Sequence, residues 1–345
     1  MTDLKKLSVI IPAYNAAKFL DKCVASIAEQ TYENIEIVIV NNGSSDNTSD
    51  ICEALKAKYN NREFKIVNLN PNQGINWARR AGFENASGDY VTTIDSDDYI
   101  DLNAYEKVIK VLEANDCDMV QFGHYEVYPD GRILEEHKCR PVKADNAHDA
   151  FKYFASVILN SATLLWDKVY KRSLFENLQW PKVSYTEDYC TDTQLFAKVQ
   201  KFMSIDESFY YHTANPDSVC SRVLINRQSI DDFITGSKFV TDFTAKAMPE
   251  FLPEILCYSV YINFSIIIGL ITLYYPEDLC KIMRRDYKRM NSELKRQNRK
   301  LDMNPPLSRM LSLKQRVIIY CLANHPKLYL TYLKTRFAIK KLTGI

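Results

Sequence analysis

Three aspartates stand within four residues at Asp95-Ser96-Asp97-Asp98, directly after the apolar run Tyr90–Ile94. Carboxylates packed this closely repel, and their ionised forms are costly unless a cation joins them. Oxygen ligands of this type suit Mg²⁺ or Mn²⁺, which bridge one or two carboxylates and the phosphates of a substrate. An acidic turn that caps the following helix, through Asp98 or Asp101, is the alternative. Three more polar clusters precede it: Pro12-Ala13-Tyr14-Asn15, Asn41-Asn42-Gly43-Ser44-Ser45-Asp46 and Asn72-Gln73-Gly74. An Asn amide offers both a donor and an acceptor to a base edge. The same residue types also build ordinary turns. Far downstream, Tyr185-Thr186-Glu187-Asp188-Tyr189 holds a carboxylate pair. A carboxylate there can take a proton from an attacking hydroxyl, or the segment can cap a helix.

The elements that must position these clusters are legible as an alternation. Leu7–Ile11, Glu36–Val40, Phe64–Asn68 and Tyr90–Ile94 read as strands. Ala17–Gln30, with Leu20, Cys23, Val24 and Ile27 on one face, Thr48–Tyr59 and Ile75–Ala86 read as helices between them. Strand-helix alternation implies an α/β fold with a mostly parallel sheet flanked by helices. In such sheets ligands bind beyond the carboxyl ends of the strands, where all four clusters fall. Further on, Phe122–Tyr128 reads as a strand closed by the turn Pro129-Asp130-Gly131. Ala147–Leu159 and Asp192–Val199 read as helices, and Ser208–Tyr211 as a short strand. From about Ile230 the pattern is helical throughout.

Taken in order, Pro-Ala-Tyr-Asn, Asn-Asn-Gly-Ser-Ser-Asp-Asn-Thr, Asn-Gln-Gly with Ala78-Arg79 behind it, and Asp-Ser-Asp-Asp resemble the family 2 glycosyltransferases with the GT-A fold, a Rossmann-like arrangement. The resemblance runs from roughly Leu7 to Tyr211. It implies that Asp95, Ser96 and Asp97 hold a divalent cation and the donor diphosphate, with Asp97 as direct metal ligand. Pro12, Ala13, Tyr14 and Asn42 would hold the base and ribose. Gly74 and Arg79 would belong to the donor pocket, with pairing of Arg79 to a surface carboxylate as the alternative. Asp188 would be the catalytic base and Glu187 its runner-up or orienting partner. Where the family commonly has Asp-Asp before Gly-Ser, this chain has Asn41-Asn42, so the base contact loses its charge. Trp166-Asp167-Lys168-Val169-Tyr170-Lys171-Arg172 resembles a segment that walls the acceptor pocket, with Lys168 either on a phosphate or solvated. His212 is nominated as a further metal ligand beside its structural reading. Ser218 and Arg222 fall where a loop closing over the donor would sit. A UDP-sugar donor and a saccharide or lipid-linked saccharide acceptor are the implied substrates.

Bulk properties fit this reading. The 345 residues suggest two domains, here residues 1–225 as the catalytic domain and 226–345 as an α-helical C-terminal domain. Of 44 basic and 43 acidic residues, 17 and 3 fall from Lys281 onward, leaving 27 and 40 before it. Lys281 to Lys300 alone holds nine basic residues. Near the end Val317, Ile318, Leu328, Leu330, Leu333, Phe337 and Leu342 interleave with Lys327, Lys334, Arg336, Lys340 and Lys341. Basic amphipathic helices of this kind suit the anionic inner surface of a membrane; the solvated face of a bundle and a homo-oligomer interface are the other uses. Ile255 to Tyr275 lacks charges and has the length of a span, but its Ser, Asn, Thr and Tyr content favours a buried helix. Nine cysteines without CxxC spacing disfavour zinc and disulfides and fit a reducing cytoplasm. Met1 to Leu7 has no signal-peptide layout. A nucleotidyltransferase would carry a Gly-rich basic phosphate loop after the first strand, where this chain has Pro-Ala-Tyr-Asn. A nucleic-acid binder ranks last, and no nucleic-acid partner is expected, because the N-terminal domain is net acidic.

Overall fold

The structure, a computed structural model, describes residues 4–158, 163–214 and 227–260, with positions 281, 284–286, 288, 289 and 292. The chain forms two compact units, Met1–Ala150 with Thr163–Arg222 and Phe151–Ala162 with Val223–Ile345.

The first unit begins with β1 (Leu7–Ala13), α1 (Leu20–Ala28), β2 (Ile35–Asn42), α2 (Thr48–Lys58), β3 (Glu63–Leu69), α3 (Ile75–Asn85) and β4 (Tyr90–Thr93). Then come β5 (Tyr99–Ile100), α4 (Ala104–Ala114), β6 (Met119–Val127), β7 (Ile133–His137), β8 (Val142–Ala144) and α5 (Ala147–Val157), which belongs to the second unit from Phe151 onward. After these follow β9 (Lys168–Lys171), α6 (Glu187–Lys198), β10 (Phe202–Thr213) and, in the second unit, α7 (Arg227–Ala247). Among the described residues one sheet runs β3-β2-β1-β4-β9-β6-β10-β5, with β7 on β6 and β8 on β10.

β1 and β2 are Val- and Ile-rich and buried on both faces, as continuous apolar strands of a parallel sheet must be. They pair in parallel with each other, with β3 and with β4. α1 packs Leu20, Cys23, Val24 and Ile27 against them at helical spacing. Beyond β4 the pairing is mixed, and β10 pairs with β6 in parallel. β9 inserts antiparallel to both β4 and β6, and β5, β7 and β8 also pair antiparallel. The sheet is therefore mixed. β5, β7, β8, β9 and α4 lie outside the expected elements. α4 buries Tyr105, Val108, Ile109 and Leu112.

At the amino edge of the sheet the Glu36 carboxylate is fully buried. It accepts from Ser8 Oγ, from Ser87 N–H at 2.8 Å and Oγ at 2.9 Å, and pairs with Lys65 Nζ at 2.6 Å. Burial pushes this carboxyl up, but Lys65, Ser8 and Ser87 outweigh burial and hold it near 2, below its ordinary 4.5.

In the second unit Phe151 packs on Phe154 and on Phe251, and residues 252–260 are helical. Among the described residues no helix is long and apolar enough to cross a membrane. The stretch Ile255 to Tyr275 lies outside them from position 261 onward. So do Ser218, Arg222 and the basic segment beyond position 292. None of the six cysteines among the described residues is in a disulfide.

Candidate active site

The loops beyond β1, β2 and β3 are tied into one surface by asparagines. Asn15 adopts a left-handed backbone, φ 49°. Its Oδ1 accepts the Ser45 N–H at 2.8 Å, and its own N–H donates to Ser44 Oγ at 3.1 Å. Asn41 Nδ2 donates to Asn68 Oδ1 at 3.1 Å. Asn42, 3% exposed, donates from Nδ2 to Asn72 Oδ1 and to the Gly74 carbonyl, both at 3.1 Å, and accepts the Gln73 N–H at 3.0 Å. Both N–H bonds of its amide are thus committed to the neighbouring loop. The residue expected to read a base edge is a latch between the loops after β2 and β3. Gly43 sits at that closure with φ +69°, and a Cβ there would lie 2.6 Å from the Asn72 nitrogen. Pro12 and Ala13 are buried strand-end residues, whereas Tyr14 is 51% exposed and free to face a ligand.

Gly74, φ 86°, opens α3, and α3 turns Arg79 inward, where it is 2% exposed. Arg79 Nη2 meets Asp95 Oδ1 at 3.0 Å. Its Nη1 meets Glu187 Oε1 at 3.3 Å and Asp188 Oδ1 closer still. The alternative of a surface partner for Arg79 is therefore replaced by a buried cluster. This cluster joins the carboxyl end of β4 to the first turn of α6, residues 93 positions apart.

α6 starts at Glu187, five residues before the expected Asp192. Its first turn offers Glu187 and Asp188 from a fixed helix end, and Thr186 makes no side-chain cap, so the capping reading fails. Asp188 Oδ2 also accepts the Leu165 N–H at 3.4 Å. Burial holds the Glu187 and Asp188 carboxyls above the ordinary carboxylate range; for Glu187 the neighbouring Asp188 adds to this, and Arg79 pulls both back.

Lys168 is neither on an exposed phosphate site nor solvated. It is fully buried, 2.7 Å from Asp167 Oδ1, 3.1 Å from Asp192 Oδ2 and 2.6 Å from the Leu164 carbonyl. The brace ties the segment before β9 to α6 one turn below Asp188. The Asp188/Asp192 spacing of four, one helical turn, was the signal for it.

The acidic turn itself divides. Asp98 is 2% exposed and spent inside the fold, accepting from Tyr210 Oη at 2.6 Å and from the Thr213 N–H at 2.7 Å. Burial and the adjacent Asp95 and Asp97 push its carboxyl well up. Tyr210 Oη also receives the Asp95 N–H at 3.1 Å, which fixes the turn. Asp95, Ser96 and Asp97 keep part of their surface. His212 is not drawn into a ligand set with them. Among the described residues no three His, Cys, Asp or Glu side chains are grouped to hold a metal. The His212 ring stacks on Trp166 at 5.8 Å, and Trp166 stacks on Tyr210 at 4.1 Å. A pair of part-exposed carboxylates still fits a hard cation such as Mg²⁺ or Mn²⁺, which keeps waters and completes its shell with substrate phosphates.

Residues 8–178 match the sequence profile of glycosyl transferase family 2. The chain is 31% identical over 225 residues to the glycosyltransferase GlyA of Streptococcus pneumoniae, covering 63% of this chain and 32% of that protein. It is 28% identical over 211 residues to the GalNAc(5)-diNAcBac-PP-undecaprenol beta-1,3-glucosyltransferase of Campylobacter jejuni, covering 61% of this chain and 63% of that one. The chain thus spans about a third of GlyA and under two thirds of the Campylobacter enzyme. Its fold is similar to that of S. aureus TarS 1–349 in complex with UDP, with TM-score 0.67 over 99% of this chain and 92% of that one at 18% identity. By the matched profile, the ordered loop motifs and the shared GT-A fold, the chain belongs to glycosyl transferase family 2.

Proposed function

We propose that the protein is an inverting glycosyltransferase that moves a sugar from a UDP-sugar to a hydroxyl of a saccharide or lipid-linked saccharide. The observation that carries the reading is the meeting of Asp95 with Glu187 and Asp188 around Arg79. It sets a carboxylate on the donor side and a carboxylate pair on the acceptor side of one site. The UDP complex of TarS and the undecaprenol-linked substrate in the name of the Campylobacter enzyme support these substrate classes.

In this reading Tyr14 and the latched loops after β1 and β2 hold the base and ribose. Asp95 and Asp97, with Ser96 between them, hold a Mn²⁺ or Mg²⁺ ion against the diphosphate. When bound, the cation neutralises the diphosphate and makes it a better leaving group. Asp188 takes the proton of the acceptor hydroxyl as its oxygen bonds to the anomeric carbon. The bond to the diphosphate oxygen breaks on the opposite face with its electron pair, so the configuration inverts in one displacement. Glu187 orients Asp188, and the fixed helix end supplies alignment. The domain division proposed is residues 1–225 for catalysis and 226–345 as a helical region. The latter's basic end would face the cytoplasmic membrane surface or a second copy.

The test is a screen of UDP-, GDP- and TDP-sugars for hydrolysis and transfer with and without Mn²⁺. Turnover of a UDP-sugar stimulated by the cation is expected. Binding of none of these nucleotides would overturn the assignment.

A further inference from the structure

Resting on the glycosyltransferase reading, we propose that Arg79 is a positioning residue for the base: it acts through Asp188 and ties it to the donor-side Asp95. Three observations carry this. Each ion-pair partner of the guanidinium is a carboxylate of the site, Asp95 through Nη2 and Glu187 and Asp188 through Nη1. Its side chain is 3% exposed, against 27% for Asp95 and 18% for Asp188, so the carboxylates, and not the arginine, present themselves to ligands. Its Nε is buried without a hydrogen-bond partner, so the guanidinium has forgone one bond to keep its fork on the carboxylates.

The fork matters. A planar guanidinium presents donors in a fixed spread, whereas an ammonium is a point charge. Arg79 is delivered by α3, Asp95 by the end of β4 and the carboxylate pair by α6. One rigid group therefore fixes the separation between the donor carboxylate and the base. The Leu165 N–H holds the other oxygen of Asp188, so the carboxylate is clamped from two sides. Loss of the fork leaves the second clamp alone, and Asp188 turns away from the acceptor oxygen.

The experiment compares wild type with Arg79→Lys and Arg79→Ala by UDP calorimetry, steady-state transfer and crystallography. For Arg79→Lys, UDP affinity and donor KM within about threefold of wild type are expected, with kcat down about 10²-fold, the scale of a misplacement near 1 Å. In Arg79→Ala, added guanidinium ion is expected to restore at least about tenfold of the lost rate, and to restore nothing in Asp188→Asn. Crystals of Arg79→Lys are expected to show the Asp188 carboxylate still held by the Leu165 N–H but turned from its wild-type position. An Arg79→Lys variant with unchanged kcat, or with weakened UDP binding that accounts for the whole loss, overturns the proposal. So does an unmoved Asp188 in its crystals. Should Arg79→Ala not fold, Arg79→Lys decides alone. A wild type that turns over no nucleotide sugar would remove the glycosyltransferase reading, while the crystallographic arm would still decide whether Arg79 positions Asp188.

Discussion

The Asn42 latch makes a sharp prediction, because the carboxylate common in the family at this place should harm this chain. In Asn42→Asp the two donations to Asn72 Oδ1 and the Gly74 carbonyl, both 3.1 Å, are lost. Both acceptors keep another donor: Ala78 N–H at 3.2 Å on the Gly74 carbonyl and Gly74 N–H at 2.8 Å on Asn72 Oδ1. The full cost of orphaned groups is therefore avoided, and two net hydrogen bonds amount to about 2 kcal/mol. A buried carboxylate facing two acceptor oxygens must either repel them or take up a proton, which adds about 1–2 kcal/mol. The sum, about 3–4 kcal/mol, corresponds to a fall in Tm of roughly 6–15 °C for a unit of this size. Thermal unfolding followed by circular dichroism reads the first effect, and UDP calorimetry reads the second, a loss of affinity as the loops after β2 and β3 part. An Asn42→Asp protein with unchanged Tm and tighter UDP binding would refute the latch and restore Asn42 as the base reader.

Other expectations follow from the same geometry. Asp188→Asn should keep UDP binding within about threefold while transfer falls by at least about 10²-fold, read by calorimetry beside a transfer assay; retained turnover would free Asp188 from its role. Asp97→Ala should abolish the stimulation by Mn²⁺ and leave the unfolding curve in place; undiminished stimulation would move the cation elsewhere. For Glu36 the folded carboxyl lies near 2 against an ordinary 4.5. The stabilisation is thus complete above about pH 4.5 and is lost as pH falls through about 2, and the difference is worth about 3 kcal/mol. Glu36→Gln should cost that amount in urea unfolding at pH 7 and less than half of it at pH 3; an equal cost at both would refute the buried pair as its source.

The sequence made the parallel half of the sheet legible because β1 to β4 are apolar, β-branched runs separated by amphipathic helices. All four polar clusters lie at the carboxyl ends of their strands, the first two beginning inside β1 and β2. β9 was illegible because it has four residues, two of them lysines, and Lys168 is neutralised by the adjacent Asp167 together with Asp192, 24 residues on. The early start of α6 was hidden because Glu187 to Thr193 has no apolar period; its polar side chains are buried by pairing with Arg79 and Lys168. The same pairing lies outside both readings of Lys168 from the sequence, a phosphate contact or a solvated charge. Asn42 read as a ligand contact because its partners, Asn72 and Gly74, lie on another loop, and spacing along the chain does not report such contacts. The stacking of His212 on Trp166 was illegible because a histidine at a strand end gives no sign of the tryptophan beneath it.

The most direct test of the central claim is the crystal structure of the protein soaked with a UDP-sugar and Mn²⁺. The base is expected against Tyr14 and the loops after β1 and β2, the diphosphate and cation at Asp95 and Asp97, and Asp188 facing the anomeric carbon from the side opposite the leaving oxygen. A nucleotide bound away from Asp95 and Asp97, or a sugar out of reach of Asp188, would contradict it.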